Sequence, residues 1–154
     1  FPAGTEFPFA PAPDAWRTAA VIAAGVPQIL PETRERFVPQ AVNLELVGGV
    51  SFKKGCYPGQ EVVSRVQHIG ETNRRAAIGR IAAAEDVLPG APVYSEGDEA
   101  GSVILSARIG KDALIFYSAT LSAIEEGVSL TPDGAKLSNV PLPYRIRNVL
   151  TEEA

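Results

Sequence analysis

The sequence contains no methionine and only one cysteine, one histidine and one tryptophan among its 154 residues. One cysteine cannot close an intramolecular disulfide, which fits a reducing compartment, and we therefore expect a cytoplasmic protein. One cysteine and one histidine also cannot supply the four ligands of a permanent zinc or iron–sulfur site. Because methionine is missing even at position 1, we expect the sequence to begin inside a longer protein.

Long apolar runs are also absent. The longest candidate, residues 19–26, ends at Pro27, far short of the roughly 20 residues that a membrane span needs. The first 13 residues, FPAGTEFPFAPAP, lack the basic and apolar regions of a signal peptide. With 45% hydrophobic residues the chain can still form a packed core. These features predict a soluble globular protein with no membrane partner.

Several common motifs that indicate a particular function are missing. The sequence has no phosphate-binding loop, no dinucleotide-binding glycine fingerprint, no HExxH and no GxSxG. Basic residues near the aromatic side chains do not form a recognisable nucleic-acid module, so we expect no direct nucleic-acid binding by this chain. The function must therefore be sought in less common patterns.

Basic residues concentrate in one segment of an acidic chain. The net charge is −4, yet residues 51–80 hold six basic side chains against two acidic ones, a local net charge of +4. A solvated charged face would explain this cluster, and so would a site for an anionic partner. Both interpretations stay open at this point.

The pattern of turns and apolar residues predicts an α+β protein. Asp14 has the features of an N-cap before a short helix that ends at Gly25, and the sequence AVNLELVGGVSF alternates like a strand interrupted by two glycines. From residue 76 onward, short β-prone runs alternate with Gly, Pro and Asp turns, which is typical of a small antiparallel barrel or sandwich. The runs predicted as strands are AAIGRIAA, APVYS, AGSVILSAR, DALIFYSA, VSLT and YRIRNVL. LSAIEEG predicts one helical turn among these strands.

The single cysteine lies in the sequence KKGCYPGQEVVSR, residues 53–65. Pro58 suits a first helical turn, so Cys56 should lie at or just before a helix N-terminus, where free N–H groups favour an anion. Together with Lys53 and Lys54, this position should lower the pKa of the thiol. The alternative is that Cys56 is a small buried hydrophobe, but the flanking Gly55 and Gly59 argue for unusual backbone angles or a closely approaching ligand.

A longer stretch, FVPQAVNLELVGGVSFKKGCYPGQEVVSRVQHIGETNRRA, resembles the signature region of the YgfZ family of folate-binding proteins. The family hallmark K-G-C-Y-x-G-Q-E is intact from Lys54 to Glu61, with Pro58 at the variable position. These proteins are related to the aminomethyltransferase of the glycine-cleavage system, its T-protein. The resemblance extends from about Trp16 to Arg147.

The resemblance implies a fold and a function. Residues 1–75 would be the end of a T-protein-like folate-binding body, and residues 76–154 would be a small C-terminal antiparallel β-barrel. The implied role is assembly or repair of iron–sulfur clusters in certain enzymes, including a radical enzyme that thiomethylates tRNA. The implied cofactor is tetrahydrofolate or a derivative, and the implied partners are iron–sulfur clients or assembly proteins.

The resemblance also implies which side chains act. Cys56 would be the activated thiol, with Lys54 and Glu61 as its catalytic neighbours and with transient contact to a cluster iron or sulfur species. Contacts to folate would come from four further residues, namely Tyr57, Gly59, Gln60 and Arg65. One departure concerns the folate: relatives carry Arg and Glu where this chain has Val21 and Ala23.

Two other functions remain compatible with these residues. One is a tetrahydrofolate-dependent aminomethyltransferase of the T-protein type, although that chemistry does not require the K-G-C-Y-x-G-Q-E thiol. The other is a thiol redox sensor or scaffold without catalysis. Whether the protein is an enzyme therefore stays open, and an accessory factor is the favoured interpretation.

Overall fold

A computed structural model describes residues 13–51, 55, 59, 61, 63, 73–82 and 86–146 of the chain. Helix α1 spans Asp14–Ala23 and α2 spans Leu121–Glu126, while two short 3₁₀ helices span Pro31–Thr33 and Pro39–Val42. The strands are β1 Arg74–Ala82, β2 Pro92–Ser95, β3 Asp98–Ile109, β4 Asp112–Thr120 and β5 Ser138–Val140.

The five strands form one antiparallel sheet in the order β2-β3-β4-β1-β5. Strands β2 and β3 are joined by Glu96 and Gly97, which both have positive φ angles, 51° and 92°. Two such residues form the tight turn whose twist matches that of a hairpin. The sheet and its helices confirm the predicted α+β class, and closure of the sheet into a barrel stays a prediction.

Both faces of the sheet are buried. One face packs against α2 and the 128–137 segment in a core, here called the inner core, that includes Val93, Val103, Ile115 and Tyr117. The opposite face lies under α1 and the second 3₁₀ helix, in the outer core, whose buried members are Ala19, Ile22, Val42, Ala76, Ile78, Ile104, Leu105, Ala107 and Phe116. Alternate residues of the central strands therefore enter two different cores.

Two local predictions need correction. Asp14 is the first residue of α1, and Pro13 occupies the N-cap position. The 41–50 segment, predicted as a strand, instead continues from a 3₁₀ helix into turns, with Asn43 at φ 59°. Its alternating pattern was misleading because apolar Val42 and polar Asn43, which are adjacent, are both buried, so the side chains do not divide between a buried and a solvated face.

The later strands agree better with their predictions. The four runs predicted between residues 76 and 119 are β1 to β4, and LSAIEEG supplies α2. The predicted VSLT strand is reduced to one bridging residue, Ser129, while β5 was not predicted. Among the described residues, no helix has the length and apolar character needed to cross a membrane.

Candidate functional site

Residues 53–65, which contain the hallmark and are called the hallmark segment below, lie mostly outside the described residues. This applies to five of the predicted site residues, namely Lys54, Cys56, Tyr57, Gln60 and Arg65, and to Lys53 beside them. Gly55, Gly59, Glu61 and Val63 are described, and they show how the segment joins the rest of the molecule.

Gly59 lies in a turn immediately before a helical segment. Its φ angle is +84°, a region that residues with a side chain rarely adopt, so the structure requires glycine here. Glu61 and Val63 are helical, and the Val63 N–H donates to the Gly59 carbonyl at 3.4 Å. The prediction of a helix starting at Pro58 is therefore wrong, because Gly59 is still in the turn.

The two glycines of the hallmark differ. The unusual backbone angle expected from the sequence is confirmed for Gly59. Gly55 has no positive φ, and no described atom lies within 4 Å of where a Cβ would stand. Gly55, Gly59 and Glu61 are all exposed, so the described part of the hallmark faces solvent.

Val63 connects the hallmark segment to the body of the protein. Its side chain is 7% exposed, and its main-chain carbonyl accepts a 2.8 Å hydrogen bond from the side-chain amide of Gln40. Gln40 is itself only 1% exposed and lies in the second 3₁₀ helix. A buried polar side chain is favourable only when hydrogen-bonded, so this contact fixes where the two segments meet.

The turn that holds Gln40 is attached to the sheet by side chains. The Asn43 amide donates to the Ala76 carbonyl at 2.9 Å, and its oxygen accepts the Ala76 N–H at 3.2 Å. The Ser118 hydroxyl donates to the Ala41 carbonyl at 2.8 Å. Asn43 thus pairs with β1 much as a neighbouring strand would, while Ser118 holds the turn to β4.

A buried ion pair lies in the same region. Arg75 of β1 donates from one guanidinium nitrogen to the Gln40 carbonyl at 3.1 Å and to the Glu45 carboxylate. The side chains of Arg75 and Glu45 are only 3% and 8% exposed. Three buried atoms of this group, Gln40 Oε1, Glu45 Oε2 and Arg75 Nε, have no hydrogen-bond partner in the described part of the chain.

Tyr144, near the C-terminal end of the described residues, also contacts this cluster. Its hydroxyl donates to the Gly25 carbonyl at 2.7 Å and lies 3.4 Å from the Asn43 amide nitrogen. Burial raises the pKa of Tyr144, while the hydrogen bond with Asn43 acts in the opposite direction. The tyrosine therefore joins the end of α1, the Asn43 turn and the C-terminal segment.

A surface cleft of about 300 Å³ lies next to this cluster. Arg36 and Arg74 line it and donate to the carbonyls of Gly90 and Ala100, at 2.8 and 3.0 Å. Its other lining residues are Phe37, Val38, Ala41, Glu99, Gly101, Ser102 and Ser118. The two guanidinium groups favour an anion, and Glu99 opposes them.

The described residues bring no group of three or more His, Cys, Asp or Glu together in a metal-binding arrangement. At the two positions where the resemblance implies Arg and Glu, Val21 packs against the outer core and Ala23 is exposed. Neither side chain can form an ion pair or a charged hydrogen bond with a folate.

No family model matches the chain. A curated relative does, the tRNA-modifying protein YgfZ of Edwardsiella ictaluri (strain 93-146), which is 39% identical over 133 residues. The aligned stretch covers 80% of this chain and 39% of the relative. This chain belongs to the YgfZ family. It therefore spans well under half of the length of the YgfZ relative that it matches.

Membership of the YgfZ family confirms the resemblance based on the hallmark. Sequence reasoning did not find the residues that attach the hallmark segment to the sheet, namely Gln40, Asn43, Glu45 and Arg75. Asn43 and Glu45 lie in AVNLELVGGVSF, which was predicted as a strand, and Gln40 directly precedes that stretch. The local sequence carried no signal for these contacts, because Asn43, Gln40 and Glu45 bond to β1 residues more than 29 positions away.

Proposed function

We propose that the longer protein represented by this chain acts in tRNA modification as a folate-binding accessory factor for iron–sulfur cluster assembly or repair. The observation that carries the proposal is the match to a relative named as a tRNA-modifying YgfZ protein, together with the intact hallmark from Lys54 to Glu61. The proposed clients are iron–sulfur enzymes that modify tRNA, and assembly proteins are the other proposed partners.

In this proposal Cys56 is the reactive group. Lys53 and Lys54 favour its thiolate electrostatically, because a nearby positive charge stabilises the charged form. Glu61 is helical and exposed, two positions after the Gly59 turn. The thiolate would hold a cluster iron or sulfur species transiently, as cargo on its way to a client.

The proposal also includes folate binding. The proposed contacts are Tyr57, Gly59, Gln60 and Arg65, whereas Val21 and Ala23 lack the charged groups that the resemblance implies at their positions. The described residues therefore do not fit a folate at those two positions, and we assign no chemical step to it. Titrating the full-length protein and this chain with tetrahydrofolate in parallel, by calorimetry, measures how much of the affinity comes from outside residues 1–154.

We also propose that the sheet curls towards a closed barrel. Main-chain bridges join Tyr94 of β2 to Ser129, and Ser129 to Lys136, which shortly precedes β5. These bridges lead from one edge strand of the sheet towards the other. Slow hydrogen exchange of the Tyr94 and Ser129 amides would support the proposal, whereas exchange at the rate of an open edge would contradict it.

The reactivity of Cys56 tests the chemical part of the proposal. Because the chain has one cysteine, the alkylation rate reports on that thiol alone. Measured across pH, the wild-type rate should have a midpoint below the ordinary thiol pKa of about 8.5. In Lys54→Gln the midpoint should move up towards that value, and a wild-type midpoint at or above it would refute activation.

Activity in cells tests the biological part. Cys56→Ala in the full-length protein should abolish the modification of tRNA by an iron–sulfur client, measured as the modified nucleoside by mass spectrometry. Ser129→Ala, which removes a hydroxyl that donates to the Thr131 carbonyl at 2.6 Å, is the control for a small loss of stability. If Cys56→Ala retains wild-type modification, or if the purified protein turns over methylene carriers without it, the aminomethyltransferase alternative gains support.

A further inference from the structure

The Gln40 side chain joins the hallmark segment to the 3₁₀ turn by a hydrogen bond. Its amide donates to the Val63 carbonyl, and Val63 lies seven residues after Cys56. From this geometry we propose that Gln40 is a positioning residue for the hallmark segment, which it holds through Val63, the point where that segment meets the 3₁₀ turn. The inference rests on the proposed role of Cys56.

The first argument is that the turn containing Gln40 is attached to the sheet by several hydrogen bonds. Its own main-chain carbonyl accepts a 3.1 Å hydrogen bond from Arg75, and the next carbonyl, that of Ala41, accepts one from Ser118. Three residues further on, the Asn43 side chain pairs with both polar main-chain groups of Ala76. The turn is therefore tied to β1 and β4, and a group attached to it is held at a constant position.

The second argument is that the side chain is kept for its N–H donor. Gln40 Oε1 is buried without a partner in the described part of the chain, so that oxygen adds a desolvation cost and no hydrogen bond. The side chain is 1% exposed, and its amide N–H donates a hydrogen bond to the Val63 carbonyl. An apolar side chain of similar size would fill the space at lower cost if packing were its only task.

The third argument is that the contact lies where the hallmark segment returns to the protein interior. Gly55, Gly59 and Glu61 are exposed, whereas Val63 is buried. Gly59 and Val63 are joined by one helical hydrogen bond, so a displacement of Val63 is transmitted to the Gly59 turn. Val63 is thus a buried point at which the contact with Gln40 can set the position of the Gly59 turn.

Hydrogen exchange in the full-length protein tests the inference directly. Gln40→Met keeps the length of the side chain and removes the donor, and Gln40→Glu keeps the shape and replaces the donor by an acceptor. In both variants we expect exchange in peptides covering residues 59–63 to accelerate at least tenfold relative to peptides from β4. Ser129→Ala, which removes a hydrogen bond elsewhere, should accelerate both regions equally.

The alkylation profile of Cys56 supplies the functional readout. Both Gln40 variants should shift the pH midpoint or change the limiting rate at least threefold, while Ser129→Ala should reproduce the wild-type profile. If exchange at residues 59–63 changes no more than exchange in β4, the inference is overturned. If the wild-type thiol has an ordinary pKa but the exchange result holds, activation of Cys56 fails and the positioning role of Gln40 stands.

Discussion

At the scale of single residues, the distinguishing feature is the polar turn between Gln40 and Glu45. A short segment buries an amide, a second amide and a carboxylate beside the guanidinium of Arg75. Burying charges is costly, and the attraction between them compensates only when both are present and hydrogen-bonded. These buried polar groups lie in and beside the turn that contacts Val63, which agrees with a positioning role for Gln40. By themselves they do not make the fold more stable.

The ion pair leads to a prediction about stability. Arg75→Met leaves the Glu45 carboxylate buried without its partner, so we expect the free energy of unfolding to fall by about 3 kcal/mol. The double variant Arg75→Met with Glu45→Met removes both charges and should recover most of that loss. Urea denaturation of the three proteins measures the difference, and a double variant as unstable as the single one would contradict the argument.

At the scale of elements, β3 combines a bulge with a close approach to β4. Val103 is opposite Tyr117 and Leu105 is opposite Phe116, so Ile104 is the additional residue of a bulge. The bulge lets Ile104 and Leu105 both enter the outer core, although they are consecutive. Nearer the start of the strand, Gly101 lies against the main chain of β4, and a Cβ there would come within 2.8 Å of the Ala119 Cα.

Gly101→Ala should therefore be strongly destabilising. The added methyl group would meet main-chain atoms of Ser118 and Ala119, which can move only if the two strands separate. We expect a loss of about 3 kcal/mol in the free energy of unfolding. The matched control is Gly55→Ala, which meets no described atom within 4 Å and should leave stability unchanged. Urea midpoints measure both, and equal midpoints for the two variants would refute the close approach.

At the scale of the whole molecule, the sheet separates two cores that draw on alternate residues of the same strands. Tyr117 belongs to the inner core and Phe116, its neighbour, to the outer one. Burial raises the pKa of the Tyr117 hydroxyl to about 12. Since the ionised form is disfavoured only while the inner core is intact, ionisation of this group is linked to global unfolding.

Stability should fall in alkali for this reason. Below pH 10 Tyr117 is neutral in both states, whereas between pH 10 and 12 the unfolded chain loses its proton first. The free energy of unfolding should decrease over that window by about 2 to 3 kcal/mol from this residue. In Tyr117→Phe this share of the decrease should disappear. Urea denaturation at pH 8, 10 and 12 measures it, and identical pH dependence in both proteins would contradict the assignment.

The sequence by itself determined the family, the α+β class and the order of β1 to β4. Those strands follow from β-prone runs that alternate between two apolar faces and end at Gly, Pro and Asp, and a local pattern suffices to specify them. The family followed from the intact residues Lys54 to Glu61, since eight residues in one order need no folding to be recognised. Gly59 was singled out in the same way, because positive φ is a local property.

Only the tertiary structure decided the form of the Gln40 to Glu45 turn and the start of the helix after Gly59. The alternation in AVNLELVGG has the period of a strand, but Asn43 pairs with Ala76 and Glu45 with Arg75, partners that lie more than 29 residues away. Contacts at such separations leave no trace in the local periodicity. The role inferred for Gln40 depends on the same physical fact, because a buried donor and its acceptor are brought together by folding alone.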